Sequence, residues 1–82
     1  MTRSLELRLD AYSEEMEYGT IARWRKREGD AVVAGEIVVE VETDKATQEV
    51  EAPVSGVLES ILAVEGDEIK VGDPMAIIVE EG

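Results

Sequence analysis

Apolar residues in this chain recur mostly at every second position, in short stretches separated by turn signals. Leu5, Leu7 and Leu9 alternate with Glu6 and Arg8, and Ile37, Val39 and Val41 alternate with Val38, Glu40 and Glu42. A period of two marks a half-buried strand, so Ile37, Val39 and Val41 are expected to face inward and Val38 outward. Gly-Asp at 29–30, 66–67 and 72–73, with Gly-Glu at 35–36, supplies turns at close intervals and keeps the strands short. Two stretches break the alternation. Ile21 and Trp24 are three apart, as are Leu58 and Ile61, which predicts a bulge or strong twist in 21–24 and in 58–61. No segment carries a helical apolar stripe. With a first strand in SLELRL and another in ATQEVEA, the pattern predicts about eight short strands.

The pattern also repeats. GTIARWRKREGDAVVAGEIVVEVE from Gly19 aligns without a gap on GVLESILAVEGDEIKVGDPMAIIV from Gly56, at a constant offset of 37 residues. Glu28-Gly29-Asp30 falls on Glu65-Gly66-Asp67, Gly35 on Gly72, and Trp24 on Ile61. Two copies of one β unit predict an all-β fold in which two four-stranded antiparallel sheets pack face to face, or close into a flattened barrel, about an approximate two-fold. Residues 42–48, Glu-Thr-Asp-Lys-Ala-Thr-Gln, are expected to form a hairpin tip after the last strand of the first copy. The second copy has VEEG at that place, so only the first carries the tip.

Composition narrows the chemistry. A chain of 82 residues fits one small domain over 1–82 with a modest core. It has no cysteine and no histidine, so disulfides, thiolate nucleophiles, the usual zinc ligands and the commonest general base are all missing, and neither a catalytic nor a metal site is expected. Twenty acidic residues against eight basic ones give a net charge of -12, which repels phosphate backbones and anionic lipid surfaces. Neither nucleic acid nor a membrane is an expected partner. The apolar runs are far short of the roughly 20 residues that span a bilayer, and MTRSLELRLD has no signal-peptide core, so a soluble intracellular protein is expected. The basic run Arg23, Arg25, Lys26 and Arg27 reads as the solvated face of the strand around Trp24 rather than as a docking patch. Lys45 stands out by its place at the hairpin tip. A nucleophilic lysine needs burial or cationic neighbours, and Lys45 is flanked by Glu42 and Asp44. An exposed lysine on a turn suits another use: a modifying enzyme can reach it, and it can then carry a group on a long stem.

The stretch VEVETDKATQEVEAPVSGVLESILAVEGDEIKVGDPMAIIV resembles the lipoyl domains of the 2-oxo acid dehydrogenase complexes, whose attachment motif is Glu-Thr-Asp-Lys-Ala or a close variant. ETDKATQEVEAP is closest to the pyruvate dehydrogenase acyltransferase type. MEYGTIARWRKREGDAVVAGE is similar to that family's M-x-x-G-T-I-x-x-W-x-K-x-E-G-D segment, so the likeness covers nearly the whole chain. It implies the same two-sheet, quasi-two-fold fold, and lipoic acid joined covalently to Lys45. It assigns recognition by the modifying enzyme and presentation of the lysine to Glu42, Asp44, Ala46, Gly29 and Gly56. For the two glycines a turn with positive φ or a close backbone approach is the primary expectation. Ser13, Glu14, Glu15 and Met16 fall in the loop that in the family selects the decarboxylase. That segment, LDAYSEEMEYG, departs from the family pattern at Asp10 and Glu14-Glu15, which leaves pyruvate, a branched-chain 2-oxo acid and acetoin open.

The resemblance implies a non-catalytic swinging-arm carrier. Its implied partners are a lipoate-protein ligase or lipoyl transferase, a thiamine-dependent 2-oxo acid decarboxylase, the acyltransferase core and dihydrolipoamide dehydrogenase. It further implies an isolated domain that is monomeric, a longer multidomain parent of which this is the N-terminal part, and a bacterial cytoplasmic location, or the mitochondrial matrix in a eukaryote. Two rivals share the fold: a biotinyl carrier domain, whose lysine is usually flanked by methionines, and an unmodified interaction domain.

Overall fold

The computed structural model describes residues 2–11 and 16–81. Within them the alternating segments form eight strands: β1 (Thr2–Arg8), β2 (Tyr18–Trp24), β3 (Ala31–Val32), β4 (Ile37–Glu42), β5 (Thr47–Glu51), β6 (Gly56–Ile61), β7 (Glu68–Lys70) and β8 (Pro74–Glu81). They pair antiparallel in two four-stranded sheets, ordered β1-β8-β6-β3 and β5-β4-β2-β7. The sheets do not close into a barrel, so of the two expected arrangements the sandwich is the one formed.

The 37-residue repeat is realised down to single hydrogen bonds. Gly29 N donates to Leu58 O at 2.7 Å and Gly66 N to Ile21 O at 2.8 Å, each the image of the other. Trp24 N donates to the Glu65 carboxylate at 3.2 Å, and Ile61 N to the Glu28 carboxylate at 2.7 Å. Gly29 and Gly66 have φ of 93° and 94°, a conformation open to glycine at little cost, which is why both turns carry that residue. The copies are interlocked. Strand β3 of the first copy pairs with β6 of the second, and β7 of the second pairs with β2 of the first.

Both expected bulges are present, as register shifts between Ile21 and Arg23 and between Leu58 and Ser60. A third, between Ile37 and Val39, corrects the expectation for Val38. It turns two consecutive side chains to the same side, so Val38 is as fully buried as Val39. The core between the sheets includes Leu9, Ile21, Val38, Val39, Val41, Leu58, Met75 and Ile78, and it holds no buried polar or charged residue among those described. Trp24 and Ile61, paired by the two-fold, are half-buried against it. The basic run is a solvated face in large part tied to its own sheet: Arg25 pairs with Glu40 at 2.6 Å and with Glu49 at 3.3 Å, and Lys26 with Glu36 at 3.0 Å.

Candidate functional site

The hairpin β4–β5 places Lys45 at its tip. The tip is tighter than the expected 42–48, because Glu42 and Thr47 still pair in the ladder and only residues 43–46 lie outside it. Asp44, Lys45 and Ala46 are exposed, and Thr43 is half-buried. Thr43 N donates to Ala46 O at 2.9 Å to close the loop. The Thr43 hydroxyl donates to the same carbonyl at 2.7 Å and accepts from Ala46 N at 3.3 Å and Lys45 N at 3.4 Å. The Lys45 ammonium takes part in none of the hydrogen bonds or ion pairs of the described residues. Its stem is therefore free to extend into solvent, and the molecule behind it measures 38 × 21 × 19 Å. An exposed primary amine on a braced loop can be acylated by an enzyme that closes over it, and can then carry the acyl group outward.

Beside the tip lies a shallow recess of about 380 Å³ lined by Tyr18, Gly19, Thr20, Glu42, Thr43, Asp44 and Glu68. Tyr18 is half-exposed there, and Glu42, Asp44 and Glu68 give the recess an acidic wall. A second concavity, about 830 Å³, lies where the copies meet at Trp24 and Ile61. Its carboxylates, Glu28 and Glu65, accept backbone N–H groups, so it is a seam of the fold.

Of the residues singled out in the sequence, Glu42, Asp44 and Ala46 are gathered around Lys45. Gly29 and Gly56 are not. Gly29 lies in the turn beyond Trp24, whose strand partner is Val39, well back from the tip along β4. Gly56 lies in the other sheet, where a Cβ would stand 2.0 Å from the Val79 carbonyl oxygen, so its place demands close backbone approach. Met16 is half-buried against the core, its Cε 3.4 Å from where a Cβ on Gly19 would stand. Ser13, Glu14 and Glu15 lie outside the described residues. Sequence reasoning took Gly19 as the start of the repeat but missed its close packing, where a Cβ would meet the Val41 side chain at 2.6 Å, and it passed over the bracing hydroxyl of Thr43. The signal for Thr43 was present: a threonine opening a turn is placed to hydrogen-bond the backbone two and three residues on.

The described residues thus form a two-sheet sandwich with internal two-fold symmetry that bears an exposed lysine on the tip of one hairpin. The family model described as "Biotin-requiring enzyme", which covers biotin and lipoyl attachment domains, matches residues 6–78, and the chain belongs to that family. Residues of this chain are 46% identical over 80 positions to the dihydrolipoyllysine-residue acetyltransferase component of the pyruvate dehydrogenase complex of Zymomonas mobilis, covering 96% of this chain and 18% of the relative. They are 43% identical over 79 positions to the pyruvate dehydrogenase E1 component subunit beta of Rhizobium meliloti, covering 95% and 17%. The chain thus spans less than a fifth of these curated relatives. The solution structure of the lipoyl domain of the 2-oxoglutarate dehydrogenase complex of Azotobacter vinelandii superposes with a TM-score of 0.75 at 35% identity, covering 94% of this chain and 96% of that one. Within the family, this chain is a lipoyl domain of the 2-oxo acid dehydrogenase type.

Proposed function

We propose that Lys45 is the attachment site for lipoic acid, and that this domain is a non-catalytic carrier moving acyl groups and reducing equivalents between the enzymes of a 2-oxo acid dehydrogenase complex. The observation that carries the proposal is the exposed Lys45 side chain, paired with none of the described residues, on a tip fixed by its own hydrogen bonds. The residues suit the group. Attachment needs an accessible amine: ATP activates the lipoate carboxylate as the acyl adenylate with release of pyrophosphate, and Nζ, once deprotonated, attacks the acyl carbon to form the amide as AMP leaves. When bound, the lipoyl dithiolane supplies acyl transfer and a two-electron redox couple. This chain supplies presentation. Lys45 contributes four further methylenes of reach, and the tip keeps them clear of the sheets. Tethering several enzymes around one carrier raises the effective concentration of the arm at each, so weak docking suffices.

The relatives' names support a place in the pyruvate dehydrogenase type of complex. The corresponding partners are a lipoate-protein ligase or lipoyl transferase, a thiamine-dependent decarboxylase, an acyltransferase core and dihydrolipoamide dehydrogenase. We propose further that this domain is the N-terminal part of a longer parent, in the bacterial cytoplasm or the mitochondrial matrix. Glu42, Asp44 and Ala46 are the recognition surface read by the ligase, and Ser13, Glu14, Glu15 and Met16 the loop read by the decarboxylase. Gly29 and Gly56 contribute to presentation only by shaping the body that bears the tip. Biotin is the second reading, because the family includes biotin carriers. Asp44 and Ala46 in place of flanking methionines favour lipoate.

The experiment is intact mass spectrometry of the 82-residue chain after parallel incubation with lipoate, ATP and a lipoate-protein ligase, and with biotin, ATP and a biotin ligase. One lipoyl adduct and no biotin is the expected result. A biotin adduct alone would transfer the proposal to carboxylase chemistry, and two unmodified samples would leave a fold used for binding only.

A further inference from the structure

The loop bearing Lys45 closes without the residues that two-residue hairpin turns ordinarily need. Its central pair is Asp44-Lys45, and no non-glycine residue among those described has a positive φ. A turn with negative φ at both central residues twists against the right-handed hairpin, which is why Asn-Gly and similar pairs are the common choice. Some other group must hold the two arms together at this point. Thr43 N donates to Ala46 O, whereas Ala46 N is met by the Thr43 hydroxyl. That single oxygen also donates to Ala46 O at 2.7 Å and lies 3.4 Å from Lys45 N. One side chain thereby ties both ends of the loop and reaches the backbone of the lysine between them.

We propose that the Thr43 hydroxyl is the positioning group of the carrier lysine. It holds the Lys45 backbone in the orientation at which a modifying enzyme receives Nζ, and so sets the rate of lipoylation without touching the lysine side chain or the lipoyl group. This rests on the lipoyl reading of Lys45. The size of the effect follows from the sensitivity of group transfer to placement: a misplacement on the order of 1 Å can cost roughly 100-fold, and a loosened loop samples such displacements. The two hydrogen bonds to Ala46 also account for the closure of an exposed tip that lacks glycine and proline.

The test compares Thr43→Val, Thr43→Ser and Thr47→Val in the intact chain, each measured for ligase kcat/KM and for amide exchange at Ala46. Thr43→Val keeps the side-chain shape and removes the hydroxyl. It is expected to lower kcat/KM about 10-fold or more and to speed Ala46 exchange, with KM for lipoate and the thermal midpoint nearly unchanged. Thr43→Ser is expected to restore both, and Thr47→Val, which removes a neighbouring exposed hydroxyl from β5, to change neither. Wild-type lipoylation of Thr43→Val, equal slowing in Thr43→Ser, or equal slowing in Thr47→Val would each overturn the proposal. Amide exchange needs no lipoate. Should the wild-type chain take no lipoate, the lipoyl reading fails, and with it this role in lipoylation; unchanged Ala46 exchange in Thr43→Val would show separately that the hydroxyl does not hold the loop.

Discussion

At the scale of single residues, two side chains show how this small domain uses polar groups at its surface. Glu36 accepts from Val33 N at 3.1 Å and pairs with Lys26 at 3.0 Å. The Lys26 hydrogen bond first, and the Val33 N–H second, hold its carboxyl below the ordinary value of 4.5. A carboxyl lowered on folding stabilises the native state at pH above its unfolded value, and that contribution is lost as pH falls through the folded value. Lys26→Met should raise the Glu36 titration midpoint toward 4.5, as followed by side-chain NMR. An unmoved midpoint would assign the whole shift to Val33. Trp24 is the other case. Its indole N–H donates to Ala63 O at 2.7 Å while the ring packs half-buried on the core. Trp24→Ala therefore loses packing and strands a carbonyl, at a cost of about 2 kcal/mol, below the 3–5 kcal/mol of a fully enclosed tryptophan. Chemical denaturation followed by circular dichroism measures it, and a loss under about 0.5 kcal/mol would place the ring on the surface in solution.

At the scale of elements, the strands were legible because burying one face of a sheet forces alternation, and the turns because they use Gly-Asp. Two of the three bulges involving β2, β4 and β6 were legible for a related reason. A bulge shifts the phase, and in 21–24 and 58–61 the shift shows as an apolar spacing of three. The bulge at Val38 left no such mark, since Ile37, Val38 and Val39 are all apolar and any phase reads alike. The ends of the tip hairpin were blurred because Glu42 and Thr47 are polar, as turn residues are, while their backbones still pair. Gly56 was identified as a position of interest, but what it meets, the Val79 backbone of β8, is a contact across 23 residues of sequence that no local pattern reports. Gly56→Ala must push β8 away from β6 and should cost at least about 3 kcal/mol. Gly29→Ala meets nothing within 4 Å and has only its φ of 93° to overcome, about 1–2 kcal/mol. Urea denaturation of the two variants compares them directly, and equal losses would contradict the close approach at Gly56.

At the scale of the whole molecule, the repeat is two chemically related halves that cannot be separated. Each lends a strand to the other's sheet, and the Glu28 and Glu65 carboxylates each accept an N–H from the opposite copy. Unfolding one copy therefore opens both sheets. Trp24 fluorescence and far-ultraviolet circular dichroism should report one transition with one midpoint, whereas separated midpoints would mean that the halves are independent. The symmetry also isolates the function. Two related copies form the body, and the lysine tip follows the last strand of the first copy, which is why the repeat and the tip were both readable in the sequence. Ser13, Glu14, Glu15 and Met16, which we propose the decarboxylase reads, were not readable in the same way, since they obey no periodic pattern.

The chain contains three lysines, Lys26, Lys45 and Lys70, of which Lys70 is exposed like Lys45 but lies within β7. Peptide-resolved mass spectrometry of the ligase-treated chain, alongside Lys45→Ala, tests whether the tip makes the difference. The carrier reading predicts a lipoyl adduct on Lys45 only, and a Lys45→Ala chain that folds with the wild-type melting temperature and takes up none. Adduct on Lys26 or Lys70, or modification of the Lys45→Ala chain, would contradict it.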